Sequence, residues 1–477
     1  MKKNIRCYLP IEVKVRELDQ RLHLAMTLVE KGFTVVIGKK GGVNRNMFSQ
    51  SNTFIYFDKG LSPGEKSFFK AIKAANGLIV GIKEEGMFNN LDVNIQEFKD
   101  NYNNSVAQLF SLIFVWGKRS KEIIENHCLK INNPNLIVTG SPALDLLNEN
   151  LINYYYKLRD LNYKIEPGYI LVNTNFSRAN GYLNYSLVKF INYKNKKLYN
   201  KETGSHLFLE TEYEKSKKFE EKVFLEFLNM IETLVKSFPK KNIIIRPHPA
   251  ENVKIYQEKF EKFNNVKINK EGSSKEWIVG AETIIHHDCT TGVEAFLAKK
   301  NVICFSPHHN ENLVSQIPQD VSVKFNNITD LITYIKNGYT LEGIDQIKIR
   351  EKMILVLNDI VDNIDKNATL TIANSIENLC NNLDPIKSKL LSRKYYFLKF
   401  KLENFIHRMK MKILGKNLEK KDIIAARESK FPYLKKKEVI DRLNILCDHF
   451  NIMQNYNIDE LEPDTFLMSK QSNKNNN

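Results

Sequence analysis

Residues Asn242–Pro249 read NIIIRPHP. The apolar run predicts a buried strand that ends in a guanidinium and an imidazole. Pro247 and Pro249 lack backbone N–H groups and stop a helix or a ladder from continuing. Each also biases the residue before it toward extended backbone, so Arg246 and His248 sit in a stiff turn. In an open α/β sheet, ligands bind beyond the carboxyl ends of the strands. Arginine offers a planar donor fork suited to phosphate or carboxylate, and histidine adds a donor whose charge changes near neutral pH. A strand-end loop with a salt-bridged arginine is the plainer alternative.

A second strand end lies at Thr283–Gly292, TIIHHDCTTG. Here a strand runs into a hydroxyl-rich turn and a helix opens behind it. Free N–H groups at a helix start, with the Thr290 and Thr291 hydroxyls beside them, make a phosphate site. A simple N-cap by Asp288 or Thr290 is the alternative, and it leaves the His286–His287 pair unexplained. Consecutive residues of a strand point to opposite faces, so His286, His287, Asp288 and Cys289 cannot all converge on one zinc ion. No metal site is expected.

Working outward, short apolar runs alternate with helical patterns. Strands are predicted at Ile5–Ile11, Thr34–Gly38, Thr53–Phe57, Leu78–Ile82, Ser111–Trp116 and Leu136–Thr139. Leu18, Leu22, Ala25 and Val29 mark the buried face of a first helix, which Gly32 ends. A second set follows the Pro167-Gly168 turn: Tyr169–Asn173, the NIIIRPHP strand, Val266–Ile268, Thr283–His286, Val302–Phe305 and Val321–Phe325. Strands alternating with helices imply parallel, doubly wound sheets. The expected organisation is one domain over 1–150, a second over 160–340, helices over 341–384 and a basic extension over 385–477.

That extension carries twelve Lys/Arg against two Glu between Lys387 and Lys421. Leu391, Tyr395, Leu398, Leu402, Phe405 and Met409 recur at helical spacing, which predicts a basic amphipathic helix. Its final QSNKNNN is low-complexity and expected to be disordered. The whole chain of 477 residues has a net charge of +16, so an anionic partner is expected: nucleic acid, an anionic membrane surface or a phosphorylated substrate. The helical periodicity of the basic stretch favours a packed or membrane-surface face over nucleic acid. Six scattered cysteines without a C-x-x-C pair fit a reducing cytosol. The opening MKKNIRCYLP has no long apolar core and does not read as a signal peptide.

Carboxylates that could serve as base or nucleophile follow two first-domain strands. Glu12 and Glu17 lie after the first, and Glu84-Glu85-Gly86 after the fourth. A solvated, dipole-favoured helix start is the alternative for Glu12 and Glu17. Gly41-Gly42 lacks the G-x-G-x-x-G spacing and a following helix, so it is not a dinucleotide fingerprint. P-loop and G-x-S-x-G patterns are absent.

Taken together, TGSPALDLL (Thr139–Leu147), the RPHP loop and the Thr-Thr-Gly-x-Glu-Ala turn resemble GT-B glycosyltransferases of bacterial surface polysaccharides. Among these, the motifs resemble the capsule- and lipopolysaccharide-type transferases that use CMP-activated 3-deoxy-octulosonate. Poly(glycerol phosphate) transferases of teichoic acid synthesis share a similar layout. The opening YLPIEVKVRELDQ and the late KFPYLKKKEVIDRL look like a narrower group of surface carbohydrate biosynthesis proteins.

The resemblance implies an α/β, GT-B-like fold: two Rossmann-like domains facing a cleft, with a nucleotide-sugar donor on the second and a glycan or lipid-linked glycan acceptor on the first. By position, Arg246, His248, His287, Thr290 and Thr291 would contact the donor phosphate. Glu294 would lie near the ribose or hold the turn. Glu12, Glu17 and Glu85 remain the candidates for the catalytic acid. Fixed cationic donors would stabilise the leaving phosphate without a metal or other cofactor. The setting implied is cytoplasmic, at the inner face of the membrane. A glycerol-phosphate transferase, a nucleotide-sugar epimerase and a non-catalytic basic assembly protein stay open as alternatives.

Overall fold

The computed structural model describes residues 5–48, 52–84, 86, 95, 98–99, 102, 104–128, 135–181, 206–340, 346–363, 366–381, 395, 398–399, 402, 405–406 and 430–471. The chain divides into two compact units, one of residues 1–87, 95–158 and 358–477 and one of 88–94 and 159–357.

In the first unit, β1 (Arg6–Ile11), β2 (Thr34–Lys39), β3 (Phe54–Asp58), β4 (Gly77–Ile82), β5 (Leu112–Val115) and β6 (Leu136–Val138) pair in parallel in the order β2-β1-β3-β4-β5-β6. These are the predicted strands to within a residue or two. Their apolar side chains are buried on both faces, as a helix-covered parallel sheet requires. The helix Lys14–Glu30 places Leu18, Leu22, Ala25 and Val29 inside as its periodicity predicts. His23, Leu24, Met26 and Leu28 are buried too, because Ala368–Asn381 and Lys436–Phe450 cover the helix a second time.

Three features of this unit depart from the sequence reading. The stretch 385–477, expected as one basic helical extension, includes a β-hairpin: β13 (Tyr456–Glu462) and β14 (Thr465–Lys470). β14 pairs antiparallel with β2 and lengthens the sheet to eight strands. A helix, Lys40–Met47, runs through Gly41-Gly42 where none was expected. It carries glycine because a Cβ at Gly42 would meet Thr465 Oγ1 at 2.0 Å. The GSPALD segment anchors the returning chain: buried Asp145 accepts N–H bonds from Ala368 (2.9 Å) and Thr369 (2.7 Å), so it caps the helix Ala368–Asn381. The Asn363 side-chain amide donates to Asp145 Oδ1 (2.6 Å), and its oxygen accepts from the Ser141 N–H (2.5 Å).

The second unit is a wholly parallel sheet in the order β12-β11-β10-β7-β8-β9: β7 (Tyr169–Asn173), β8 (Ile243–Arg246), β9 (Val266–Ile268), β10 (Ala281–His286), β11 (Asn301–Phe305) and β12 (Val323–Phe325). One face, with Ile170, Val172, Ile243, Ile245, Ile285 and Ile303, packs on the long helix His206–Ser237 and on Ile328–Lys336 to form the core. Among the described residues no helix is long and apolar enough to cross a membrane.

Candidate functional site

β7 sits centrally in the second sheet, with β8 on one side and β10, reached after the chain doubles back, on the other. The strand order reverses at β7, and the crevice outside such a reversal is where open α/β sheets bind ligands. The RPHP loop leaves β8 and the HHDCTTG turn leaves β10, so the structure brings the two predicted strand ends to either side of β7.

Arg246 is held in place rather than swinging free. Its guanidinium donates to the backbone carbonyls of Glu271 (2.7 Å) and Gly272 (2.5 Å). These lie just before Ser273, whose side chain caps the helix Ser274–Gly280 in a reciprocal capping box with Glu276. Two of the arginine's five N–H groups are thus used, and the Glu276 and Glu294 carboxylates lie near enough to act on its charge.

The loop beyond it is closed on itself. The His248 N–H donates to Glu251 Oε1 (2.9 Å), and the Glu251 N–H donates back to the His248 carbonyl (2.8 Å). Glu251 is fully buried and also accepts the hydroxyls of Thr174 (2.8 Å) and Tyr256 (2.5 Å). Lys270 Nζ ties the same turn through the Glu251 carbonyl (2.5 Å). The Ala250 N–H donates to His248 Nδ1 (3.1 Å), so the neutral ring carries its proton on Nε2. Sequence reasoning missed Glu251, because the capping-box signal needs a serine or threonine three residues before the acid and His248 stands there instead.

At the other strand end the two histidines do different work. His287 Nδ1 lies 3.0 Å from the Phe305 carbonyl, which can only accept, so the proton of the neutral ring is on Nδ1 and Nε2 is the basic nitrogen. Its ring stacks on Phe176 at 6.3 Å. His286 is fully buried, and burial together with the neighbouring His287 lowers its pKa to about 3, which keeps it neutral.

Thr290 stands at the N-cap position of the helix Thr291–Leu297, exposed and making no capping bond, so the simple N-cap alternative does not hold for it. Thr291 opens that helix, half-buried. Glu294 accepts from Ser274 Oγ (2.8 Å) and pairs with Lys275 Nζ (3.2 Å). It therefore joins the starts of two helices. No three His, Cys, Asp or Glu side chains gather as a metal site among the described residues.

The first sheet has its own reversal between β1 and β3, with Glu12 after one strand and Lys59 after the other. Glu12 is paired with Lys40 (2.8 Å) and Lys59 (2.5 Å). Burial raises its pKa, but the two ammonium groups outweigh this and hold it below the usual carboxylate range. Glu17 accepts the Glu12 N–H (2.8 Å) at the start of the first helix. Burial and the nearby Glu84 charge push its carboxyl up. The two carboxyls are thus pushed in opposite directions, Glu12 down by its ammonium partners and Glu17 up by burial. Glu85 lies outside the described residues.

No family model matches the chain, and no curated protein matches it. Solved structures do. The wall teichoic acid polymerase TagF is similar over 80% of this chain and 91% of its own, at 11% identity and a TM-score of 0.49. The UDP-GlcNAc 2-epimerase of Neisseria meningitidis, bound to UDP-GlcNAc, is similar over 79% and 100%, at 13% identity and a TM-score of 0.46. The UDP-GlcNAc 2-epimerase of Methanocaldococcus jannaschii is similar over 78% and 99%, at 12% identity and a TM-score of 0.43.

Proposed function

We propose that this protein is a GT-B-type glycosyltransferase of bacterial surface polysaccharide synthesis, which moves a sugar from a nucleotide donor to a glycan acceptor. The observation that supports the reading is that Arg246 and His248 follow β8 and the Thr290–Thr291 turn follows β10, the two strands that flank β7. A nucleotide leaving group gathers negative charge on its phosphate as the glycosidic bond breaks. Donors already fixed by the protein stabilise that charge without reorganising. Arg246 and His248 are fixed in this sense, the one by two carbonyls and the other by the Glu251 turn. The donor is proposed to be a CMP-activated octulosonate- or nonulosonate-type sugar, handled without a metal. Glu17 is the proposed acid–base group.

The basic stretch 387–421 is proposed to rest on the inner face of the cytoplasmic membrane. Its described residues Leu398, Leu402 and Phe405 are helical and about 60% exposed (63%, 59% and 60%). Twelve cationic residues accompany them, a combination suited to anionic lipid.

A thermal-shift panel of CMP, CDP, UDP and GDP tests the reading, since a ligand stabilises the fold it binds. CMP is expected to raise Tm, with EDTA making no difference. Silence from all four would remove the transferase reading, and a response to UDP alone would remove the CMP-sugar donor. Arg246→Lys and His248→Ala are expected to lower the affinity of the responding nucleotide at least about tenfold, the order of one charge-assisted bond.

A further inference from the structure

The carboxyl edge of the second sheet carries a polar row on the face opposite its apolar core. Register pairs Cys304 with His286 across β11 and β10, and Asn173 with Arg246 across β7 and β8. His286 and Asn173 each come one residue past the Ile285–Val172 pair, so the row runs Cys304, His286, Asn173, Arg246. Two of its members hold polar atoms that nothing satisfies. Asn173 is 2% exposed, yet neither its Oδ1 nor its Nδ2 has a hydrogen-bond partner. His286 Nδ1 is likewise buried and without one.

The neighbouring bonds fix what that nitrogen is. Ser322 Oγ donates its single proton to the Pro318 carbonyl (2.6 Å), so toward His286 Nε2 (2.9 Å) it can only accept. The proton of the neutral ring is therefore on Nε2, and Nδ1 is a bare acceptor. The row thus holds an unused acceptor on His286, an unused acceptor and an unused amide donor group on Asn173, and the spare donors of Arg246. Buried polar groups are nearly always paired, so an unpaired set calls for a partner.

We infer that Asn173 is a ligand-reading residue: with His286 beside it in the row, its amide takes a neutral group that both donates and accepts hydrogen bonds, a sugar hydroxyl, while Arg246 takes the phosphate. An ionised phosphate only accepts and would leave Asn173 Oδ1 and His286 Nδ1 as bare as before. A cation would leave Asn173 Nδ2 bare. A hydroxyl serves both kinds of group, and a site built for it rejects an analogue that lacks it. The inference rests on the nucleotide-sugar reading above, and two sources share this chemistry: the ribose of the nucleotide and the sugar being transferred.

Titration calorimetry on the full chain separates them. Wild type, Asn173→Leu and Asn173→Asp are titrated with whichever of CMP, CDP, UDP and GDP binds wild type, with its 2′-deoxy and 3′-deoxy forms, and with a sugar ester of the same nucleotide. Asn173→Leu is expected to keep or raise the Tm of the free protein, because it removes unpaired buried groups, and to bind at least tenfold more weakly. If the ribose is read, the loss appears with the nucleotide alone, and one deoxy form binds wild type and variant alike. If the transferred sugar is read, the nucleotide alone binds both equally, and only the increment from the sugar disappears. Should the leucine variant not fold, Asn173→Asp takes its place, with the same loss expected. Wild-type affinity for nucleotide and sugar ester in a folded variant overturns the inference, as does a lowered Tm with unchanged affinity, the signature of an amide that holds internal water. A wild type that binds no nucleotide removes the transferase reading and this inference with it; a wild type that binds, matched by its variants, removes this inference alone.

Discussion

Burial, with the Glu65 carboxylate close by, pushes the Asp58 carboxyl up to about 7. Its ordinary value is 3.8, so between roughly pH 4 and 7 the folded protein holds a proton that the unfolded chain has released. Stability from this group is therefore full below that window and falls as pH rises through it. Asp58→Asn keeps an oxygen for the Gly60 N–H, which Asp58 accepts at 2.9 Å, and removes the titration. The gap in Tm between pH 5 and pH 8 should narrow in the variant, by about 2–4 °C for each kcal/mol recovered; an unchanged gap would show that Asp58 titrates normally. Glu251 makes the opposite case, a carboxylate whose value lies in its partners. Glu251→Ala strands the His248 N–H and two buried hydroxyls, and is expected to cost at least about 3 kcal/mol in chemical denaturation. Arg246 and His248 were legible as a fixed pair at a strand end because a proline follows each of them. Asn173 was not, since its meaning lies in partners it does not have, and a sequence does not show those.

At the scale of elements, the parallel strands were legible because each is buried on both faces and so is written as an apolar run. The hairpin β13–β14 was not. β13 reads YNIDELE and is exposed or half-exposed at every position, so it carries no apolar signature. What betrays the hairpin is glycine elsewhere. Gly38 adopts φ +144°, and a Cβ there would meet the Asp464 carbonyl at 2.1 Å and the Thr465 Cα at 2.8 Å. Gly38→Ala should push β14 off β2, which hydrogen exchange would detect as lost protection of Thr465–Met468 with β3–β5 unaffected. Retained protection across β14 would mean that the hairpin tolerates the methyl. The helix Lys40–Met47 has the same cause: two glycines argue against a helix at about 1 kcal/mol each, and packing against Thr465 overrides them.

At the scale of the molecule, twelve Lys/Arg against two Glu put +10 of the net charge of +16 in residues 387–421, which follow the second helix of the 346–381 pair. Deleting 387–421 should abolish sedimentation with vesicles rich in anionic lipid while leaving nucleotide binding intact; a deletion variant that still sediments would place membrane contact elsewhere. The two-sheet architecture was visible in the alternation of strands and helices, whereas the return of the chain to its first unit was not. That return is held along its length: Asp145 and Asn363 at one point, the helices Ala368–Asn381 and Lys436–Phe450 on the first helix, with Lys31 paired to Glu377 and Lys14 to Glu438, and β14 against β2 at another. Synthesis proceeds from the amino terminus, so the unit begun first is the one completed last. Residues 159–357 can leave the ribosome and collapse as a unit while β2 still waits, its edge bare, for a strand more than 400 residues downstream. The nascent first unit is therefore expected to keep an unpaired sheet edge longest, and a ribosome stalled before residue 465 would hold a finished second unit behind an unfinished first.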